Sequence, residues 1–327
     1  MTRGITMHQT GASEVLEYKD LPIADLREGE VRIKQHAVGV NRVDINQRNG
    51  MYPLPLPSTL GMEGAGEVIE CHSSVTDFKV GDRVAYGMDN LITGGYSSQR
   101  TIPAEYLIPL PDYIDYQTAA AITMKGIAAY YMLHRTFMVN RDNKILVHAA
   151  AGGCANLIVQ WARYGIGATV YGTASTQEKA DFATEMGCEK CIIYTEESFA
   201  PKIKQLTEEI GVNVVYDGVG KSTILKSMDA LMPLGLLVNY GEASGKPDNL
   251  DMHRIASKGC LFVTRPTFAL YTAIRDELLN GAKRLFKLVK SGHIRPQIAA
   301  KFKLEEAGKA HDFMEARKNM GSIILTI

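Results

Sequence analysis

The chain has 327 residues, more than one ordinary hydrophobic core accommodates, and suits two domains. Its 36 basic residues are matched by 36 acidic residues, so net charge gives no footprint for binding nucleic acid or an anionic membrane. No apolar run reaches the length of a membrane span, and the N-terminus does not resemble a signal peptide. Five cysteines, an odd number, favour a reducing compartment over a disulfide framework. We therefore expect a cytoplasmic protein.

Short strands are predicted in the first third of the chain. Residues 30–39 alternate apolar and polar side chains, and further runs with Gly and Pro punctuation follow at 61–70, 82–87 and 96–107. Near Tyr116 the pattern changes to Ala- and Met-rich helix. This region therefore predicts an all-β unit with long loops, joined by a helix to the rest of the chain.

A glycine-rich turn follows a short apolar strand predicted to begin at Lys144 and to end at His148. Ala150, Gly152 and Ala155 have the 0, 2, 5 spacing of a dinucleotide-binding turn, and a helix is predicted after them. Small residues at these positions allow a pyrophosphate to approach the first amides of that helix. An ordinary tight turn between strand and helix is the alternative, because only one of the three positions is glycine.

Strands and helices alternate beyond this turn. Strands are predicted at 168–174, 188–194, 213–217, 235–240 and 260–264, with helices at 177–186, 198–209 and 221–231. This alternation is typical of a parallel sheet covered on both faces, so we predict an α/β fold with a six-stranded Rossmann domain. Dinucleotides bind at the carboxyl edge of such a sheet, where Tyr240 and Gly241 end the fifth strand.

The C-terminal tail and the sixth strand bear on domain packing and on assembly. The tail predicts a helix at 275–290, a strand at 301–303, a helix at 304–318 and a strand at 323–327, and we expect it to fold back on the β-rich domain. The apolar sixth strand at 261–263 is an exposed sheet edge unless it is covered. Because such edges pair across a two-fold axis, we predict a homodimer.

Charge at the end of the second Rossmann strand bears on the cofactor. An NAD-preferring site usually places a carboxylate there, about twenty residues after the glycines, to bind the ribose hydroxyls. Residues 171–176 contain no acid, and Lys179 follows on the next helix. A 2′-phosphate would meet Ser175 and a cation, which favours NADPH over NADH. A solvated helix lysine is the alternative for Lys179.

Motifs distributed along the whole chain carry a family resemblance. They lie at residues 40–44, 48–53, 61–66, 80–84, 148–153, 215–220, 263–266 and 321–322. With these motifs the chain resembles the zinc-independent quinone oxidoreductases of the medium-chain dehydrogenase/reductase superfamily, the group that includes zeta-crystallin. The resemblance implies a GroES-like catalytic domain over 1–124, a Rossmann dinucleotide-binding domain over 125–265, and a return to the catalytic domain over 266–327.

The same comparison argues against zinc. Zinc-dependent relatives carry a histidine beside the glutamate of the Gly-x-Glu segment and a four-cysteine cluster in the β-rich domain. Here Met62 replaces that histidine, and Cys71 is the only cysteine before Cys154. One thioether and one thiol do not supply the ligands of a tetrahedral zinc site, so no metal is expected. Cys188 and Cys191 form a C-x-x-C pair that we expect in the core.

The resemblance also implies a set of cofactor contacts. In the family, positions matching Lys179 and Tyr194 contact the 2′-phosphate, and the position matching Lys125 lies near the cofactor ribose. For Arg265 and Arg317, pairing with surface carboxylates is the alternative. The expected contacts are Asn41, Lys125, Ala150, Gly152, Gly153, Cys154, Ala155, Gly172, Ser175, Lys179, Tyr194, Gly218, Tyr240, Gly241, Arg265 and Arg317.

Three residues are expected at the reacting centre: Asn41, Tyr52 and Lys125. The implied reaction transfers a hydride or electrons from the nicotinamide to an acceptor in the cleft between the domains. Asn41 can donate an amide hydrogen bond, and Tyr52 can present its hydroxyl to a quinone oxygen. The alternatives are a turn-forming Asn, a loop-anchoring Tyr and an ordinary exposed Lys. Asp44 is expected to hold the loop that carries Asn41, and His148 to be a satisfied core histidine.

The sequence also departs from the family pattern at two places. The glycine turn, normally Gly-Gly-Val-Gly, keeps its first half and then has Cys154 and Ala155, followed by Asn156. Asn46 lies where several relatives have an aromatic residue near the nicotinamide. The sequence therefore leaves open the affinity for the cofactor and the stacking of a side chain near the nicotinamide.

Three functions remain under consideration. The first is an NADPH-dependent quinone reductase without metal, acting on a quinone or another conjugated carbonyl compound. The second is an NADPH-dependent 2-alkenal or enone reductase, which delivers hydride to a β-carbon. The third is a non-catalytic role, as a crystallin-like or RNA-binding protein, although the neutral charge weighs against RNA.

Overall fold

A computed structural model describes residues 2–88 and 93–327. The chain divides into two compact units. The first, called the β-rich unit below, comprises Met1–Ile127, Thr272–Phe286 and Pro296–Ile327, and the second, called the Rossmann unit, comprises Ala128–Tyr271 and Lys287–Arg295. Within the described ranges we find no helical segment with the length and apolar character that a bilayer span requires.

The strands and helices of the described ranges have the following bounds. The strands are β1 (Thr2–Thr6), β2 (Glu17–Leu21), β3 (Glu30–Val40), β4 (Glu63–Cys71), β5 (Arg83–Gly87), β6 (Gln99–Pro103), β7 (Ile108–Pro109), β8 (Lys144–Val147), β9 (Thr169–Ala174), β10 (Lys190–Ile193), β11 (Val212–Asp217), β12 (Leu231–Asn239), β13 (Phe262–Thr264), β14 (Ile298–Lys303) and β15 (Ser322–Thr326). The helices are α1 (Arg42–Arg48), α2 (Tyr116–Tyr131), α3 (Gly153–Gln160), α4 (Gln177–Glu185), α5 (Phe199–Leu206), α6 (Ile224–Ala230), α7 (Met252–Ser257), α8 (Phe268–Thr272), α9 (Arg275–Lys290) and α10 (Ala307–Glu315).

The Rossmann unit is built on one parallel sheet. Its strand order is β10-β9-β8-β11-β12-β13, which confirms the six-stranded sheet predicted from the sequence. Short runs of β-branched and aliphatic residues form these strands because both faces of a parallel sheet are buried. The chain starts at the centre with β8, fills one side, and returns to β11. That reversal places the switch point, where such sheets bind ligands, at the carboxyl ends of β8 and β11.

The β-rich unit contains a larger, mostly antiparallel sheet. Its order is β14-β15-β3-β4-β5-β7, with β6 also paired to β3, and β1 and β2 form a separate two-stranded sheet. Strands β14 and β15, from the end of the chain, run parallel to each other, and β15 is antiparallel to β3. Strand β3 alternates buried and partly exposed residues at its start and is buried at its end, where it leads into α1.

Some elements differ from the sequence prediction. Helix α1 occupies a segment predicted as loop, and Asn41 is its N-cap residue. Strand β6 covers only Gln99–Pro103 of the longer strand predicted at 96–107. Strands β1 and β2 and helices α7 and α8 were not predicted. These elements are short, so each gives too few turns or alternations for its periodicity to be recognised.

Candidate active site

The turn after β8 brings backbone amides to the switch point. Gly152 is the N-cap residue of α3, with φ −72° and ψ 160°, and Ala149 before it has a positive φ of 50°. The amides at the start of a helix have no partner inside it. The buried Asn156 side chain donates to the carbonyls of Gly152 and Gly153 at 2.8 and 3.0 Å. Asn156 therefore braces this turn from within, and amides in this position suit an anionic ligand.

Ser175, Lys179 and Tyr194 lie at the same edge of the sheet. Ser175 follows β9 and Tyr194 follows β10, and these strands are neighbours whose last residues are paired. Lys179 lies in the first turn of α4, where its amide donates to the Thr176 side chain at 3.4 Å. Because β8 adjoins β9, the structure gathers these three residues beside the turn after β8.

Gly172 has a packing requirement of its own. It lies inside β9, and a Cβ at this position would be 2.8 Å from the Ala150 Cβ, 2.8 Å from the Cys188 Sγ and 3.2 Å from the Cys191 Sγ. Cys188 and Cys191 are buried, as expected for core residues. Burial raises the pKa of both thiols. Steric closure around Gly172 thus explains the glycine without reference to a ligand.

Gly218, Tyr240 and Gly241 pack against one another after β11 and β12. A Cβ at Gly218 would lie 2.8 Å from the Tyr240 hydroxyl oxygen, and one at Gly241 would lie 2.7 Å from the Gly218 carbonyl oxygen. The buried Asp217 carboxylate holds the turn by accepting the amides of Val219 and Gly220 at 2.8 and 2.9 Å. These glycines therefore permit a close backbone approach at the carboxyl edge.

Arg265 follows β13 and has local partners. Its Nη1 donates to the Asn239 Oδ1 at 2.7 Å and lies 3.1 Å from the Glu242 carboxylate. This is the carboxylate pairing considered as the alternative for Arg265. Arg317, in the β-rich unit, is exposed beyond α10 with a φ of 54°. A cofactor role for either arginine stays a prediction.

His148, at the end of β8, is a satisfied core histidine, as predicted. Its Nδ1 lies 2.9 Å from the Thr173 Oγ1 and its Nε2 lies 2.9 Å from the Ser227 Oγ. Ser227 in turn donates to Asp217 at 3.0 Å. Burial lowers the pKa of His148, so the imidazole is neutral in the fold.

In the β-rich unit, Glu63 joins two of the predicted catalytic residues. Its Oε2 accepts a hydrogen bond from the Lys125 Nζ at 2.5 Å and another from the Asn41 Nδ2 at 3.0 Å. Its Oε1 accepts from the Met124 amide at 2.7 Å. The carboxylate is fully buried, and only 8% of the Lys125 side chain is exposed. Lys125 is therefore a buried, paired cation rather than an ordinary surface lysine.

Ionisable side chains also anchor helix α1. The Asp44 Oδ2 accepts hydrogen bonds from the backbone N–H of Asn41 at 2.8 Å and from the Tyr96 hydroxyl at 3.0 Å. These contacts confirm that Asp44 holds the segment carrying Asn41. The Tyr96 hydroxyl is 2.9 Å from the His311 Nε2. Burial raises the pKa of Asp44 to about 7. Burial, together with the charge of Arg48, lowers the pKa of His311 to about 3.

Tyr52, Met62 and Asn46 also lie in the β-rich unit. Tyr52 is half-buried beyond α1, and its amide donates to the Asn46 carbonyl at 2.8 Å. Met62 is buried, with its Sδ 3.6 Å from the Gln47 Nε2. Asn46 itself is buried. Over residues 2–88 and 93–327, no group of three or more His, Cys, Asp or Glu side chains is arranged to hold a metal ion.

Sequence reasoning missed the role of Glu63. It placed Glu63 in a family motif but assigned it no contact, since its partners lie 22 and 62 residues away in the chain. One signal was available: Glu63 opens the Gly- and Ala-rich first half of β4, ahead of the two further glutamates Glu67 and Glu70. A charged residue at the start of a buried strand requires a partner.

The two units in one chain define its class. Residues 27–112 match the alcohol dehydrogenase GroES-like domain, and residues 153–274 match the zinc-binding dehydrogenase family. The first match lies in the β-rich unit, and the second covers β9 to β13 of the Rossmann unit. The protein is therefore an oxidoreductase of the dehydrogenase and reductase type.

Full-length relatives refine this class. The chain is 42% identical over 326 residues to a quinone oxidoreductase of Pseudomonas aeruginosa, covering 99% of each protein. It is 39% identical to a 2-haloacrylate reductase of a Burkholderia species, again over 99% of each. The crystal structure of Escherichia coli quinone oxidoreductase complexed with NADPH superimposes with a TM-score of 0.96 at 38% identity, covering 100% of both chains. The chain belongs to the quinone oxidoreductase family of the medium-chain dehydrogenase/reductase superfamily, which confirms the resemblance found in the sequence.

Proposed function

We propose that this protein reduces quinones with NADPH. The observation that carries the proposal is the carboxyl edge of the Rossmann sheet, where the glycine-rich turn lies beside Ser175, Lys179 and Tyr194 and no carboxylate ends β9. The Escherichia coli relative binds NADPH, and the relatives named quinone oxidoreductase support the acceptor class.

The residues present fit the cofactor. The amides that open α3 suit the pyrophosphate, and Asn156 holds the turn so that they stay aligned. Ser175 and Lys179 provide a hydroxyl and a cation for a 2′-phosphate, and Tyr194 adds an exposed ring beside them. Gly218, Tyr240 and Gly241 allow the backbone to approach closely further along the edge. The remaining contacts predicted from the sequence belong to the same proposal.

The reducing equivalents come from NADPH when it is bound. The chain must orient the acceptor, exclude water and stabilise the charge that develops on the acceptor oxygen. We assign Lys125 and Asn41 to orientation, because Glu63 fixes both of their polar ends. The Tyr52 hydroxyl can donate a hydrogen bond, and then a proton, to a quinone oxygen.

A second candidate activity is reduction of a carbon-carbon double bond conjugated to a carbonyl. The 39% identity to a 2-haloacrylate reductase favours it. It requires the same cofactor site and differs in the atom that receives the hydride. The acceptor therefore separates the two activities, and the cofactor does not.

We also propose a cytoplasmic homodimer that does not bind nucleic acid. Strand β13 ends the strand order of the Rossmann sheet, and its Phe262 is 60% exposed, which suits pairing with a second copy. The five cysteines are an odd number, which favours a reducing compartment over a disulfide framework. Light scattering tests the dimer, and a gel-shift titration at low salt tests the exclusion of nucleic acid.

The test of function is the loss of NADPH absorbance in the presence of purified protein and 1,4-benzoquinone. A protein-free blank, NADH in place of NADPH, and a 2-haloacrylate or an unsaturated aldehyde in place of the quinone provide the comparisons. Rapid loss with NADPH and the quinone supports the proposal. Turnover of only the conjugated acid or aldehyde establishes the second candidate, and no turnover with any acceptor contradicts both.

A further inference from the structure

We propose that Glu63 is a positioning residue for this reaction: its buried carboxylate fixes the Lys125 ammonium and the Asn41 amide in the geometry that binds NADPH productively. The inference rests on the proposed function. It concerns a residue whose carboxylate is paired with Lys125, Asn41 and the Met124 amide, and which would act on the cofactor through the first two.

The fold makes room for this carboxylate. Glu63 opens β4 and is paired across the sheet with Gly39 of β3. A Cβ at Gly39 would collide with the Glu63 carboxylate, whose Cδ would be 2.8 Å away, and with the Ala120 carbonyl oxygen. Gly39 thus leaves the space that the carboxylate fills beside the start of α1 and the middle of α2. Burial of a carboxylate at such a position is favourable only with full pairing.

The pairing uses both oxygens. Oε2 accepts from Lys125 at 2.5 Å and from Asn41 at 3.0 Å, and Oε1 accepts from the Met124 amide at 2.7 Å. All three partners are donors. The Glu63 carboxylate neutralises the charge of the buried Lys125 ammonium. A short, charge-assisted hydrogen bond holds the Lys125 side chain.

The same contact fixes which way the Asn41 amide points. Its Nδ2 must face Glu63, because a carboxylate only accepts hydrogen bonds. The Oδ1 is therefore turned away from Glu63 as an acceptor, and one N–H remains on Nδ2. Asn41 is accordingly held in one orientation by its partner, and its amide is not interchangeable with a freely rotating donor.

A glutamine could not replace this carboxylate without conflict. If its oxygen faced Lys125 and Asn41, its amide nitrogen would face the Met124 N–H, another donor. In the reverse orientation the nitrogen would face the ammonium and the Asn41 amide. Either way one donor opposes another, and in both orientations the charge that pairs with the ammonium is lost, so Glu63→Gln keeps the volume but weakens the hold on Lys125.

The experiment compares four variants of the full-length protein with the wild type. These are Glu63→Gln, Lys125→Met, the double variant, and Glu70→Gln as the matched control. Glu70 lies on the same strand, but its carboxylate is more than half exposed and pairs with Arg32. For each protein we would measure the Kd of NADPH by fluorescence, KM and kcat with a quinone, and the thermal midpoint. Glu63→Asp, which retains the charge but withdraws it by one methylene, serves if the Gln variant does not fold.

We expect Glu63→Gln and Lys125→Met each to raise the Kd of NADPH about tenfold. We expect the double variant to raise it by less than the two single effects combined, since Glu63 acts in part through Lys125 and coupled residues are not additive. The control should match the wild type. A purely structural role would lower the thermal midpoint and the amount of folded protein without this shared, non-additive rise in Kd.

Two outcomes overturn the inference in different ways. If the wild type binds NADPH and reduces a quinone while Glu63→Gln behaves like the Glu70→Gln control, or adds fully to Lys125→Met, the positioning role is wrong. If the wild type does not bind NADPH, the proposed function is wrong, and the inference fails with it.

Discussion

Two buried polar clusters, one in each unit, pair their polar groups in different ways. In the Rossmann unit, the His148 cluster pairs a neutral imidazole with the Thr173 and Ser227 hydroxyls, and Asp217 receives further donors from its own turn. In the β-rich unit, the Glu63 cluster sets a full negative charge against the Lys125 ammonium. The first cluster consists of short side chains and backbone. The second cluster contains Lys125, whose long side chain is held in place by the charge of Glu63.

The comparison distinguishes polar groups that are buried to stabilise the fold from polar groups that are buried to position a functional side chain. A satisfied hydroxyl and imidazole network stabilises a turn with little electrostatic penalty. A buried ion pair is rarely better for stability than apolar residues of the same volume, so its presence asks for another reason. We take positioning of Lys125 as that reason, and four predictions test the contrast.

The largest effect is expected where one charge is left alone. Lys125→Met leaves the Glu63 carboxylate buried without its cation, which should cost about 3–5 kcal/mol in the free energy of unfolding. The double variant Glu63→Gln, Lys125→Met should recover part of that loss, because no uncompensated charge remains although the glutamine amide still opposes one donor. Urea unfolding of both proteins measures the difference, and equal losses would contradict an ion pair.

The ionisable groups beneath α1 should make stability depend on pH in two opposing ways. Asp44 has a pKa of about 7 in the fold against 3.8 as the ordinary value, so the folded state binds the extra proton and stability falls as pH rises between these values. His311 has a pKa of about 3 against 6.5, so stability rises with pH over that window.

Substitutions separate these two contributions. Asp44→Asn should abolish the fall in the free energy of unfolding with rising pH, a change of roughly 4 kcal/mol between pH 4 and 7. His311→Gln should abolish the rise in the free energy of unfolding with pH. Urea unfolding at a series of pH values reads both. Parallel pH profiles for the wild type and Asp44→Asn would show that the carboxyl titrates normally.

A smaller effect is expected in the His148 cluster. His148→Leu leaves the Thr173 and Ser227 hydroxyls without their ring partner, a loss of about 2–3 kcal/mol. The Kd of NADPH for the folded variant should equal that of the wild type, because this network serves structure alone. A selective loss of NADPH binding in a stable variant would give His148 a direct role.

The smallest effect should come from Lys179, a half-buried cation in the first turn of α4. Lys179→Ala should raise the Kd of NADPH about tenfold, or about 1.4 kcal/mol, and leave the Kd of NADH unchanged. Lys190→Ala is the matched control, since Lys190 lies at the opposite end of β10 and is exposed. Equal effects on both cofactors would remove the 2′-phosphate from the explanation.

Local pattern was sufficient for the Rossmann sheet and insufficient for the centre of the β-rich unit. The strands and helices from β8 to β13 repeat with clear periodicity, so their order and number could be predicted. Helix α1 has only seven residues, and Asp44, Asn46, Gln47 and Arg48 within it are buried, which hides any apolar face. Glu63 acquires its meaning from contacts made across the fold, and no local pattern encodes those.

The enclosure of Gly172 sets limits on redesign of this protein. Three side-chain atoms close over the position where its Cβ would be, so β9 admits no new side chain there. An attempt to change cofactor preference must therefore begin beyond Ala174, at Ser175 and on the first turn of α4, where side chains reach solvent. The interior of the strand is fixed by packing, and adaptability is confined to the residues that follow it.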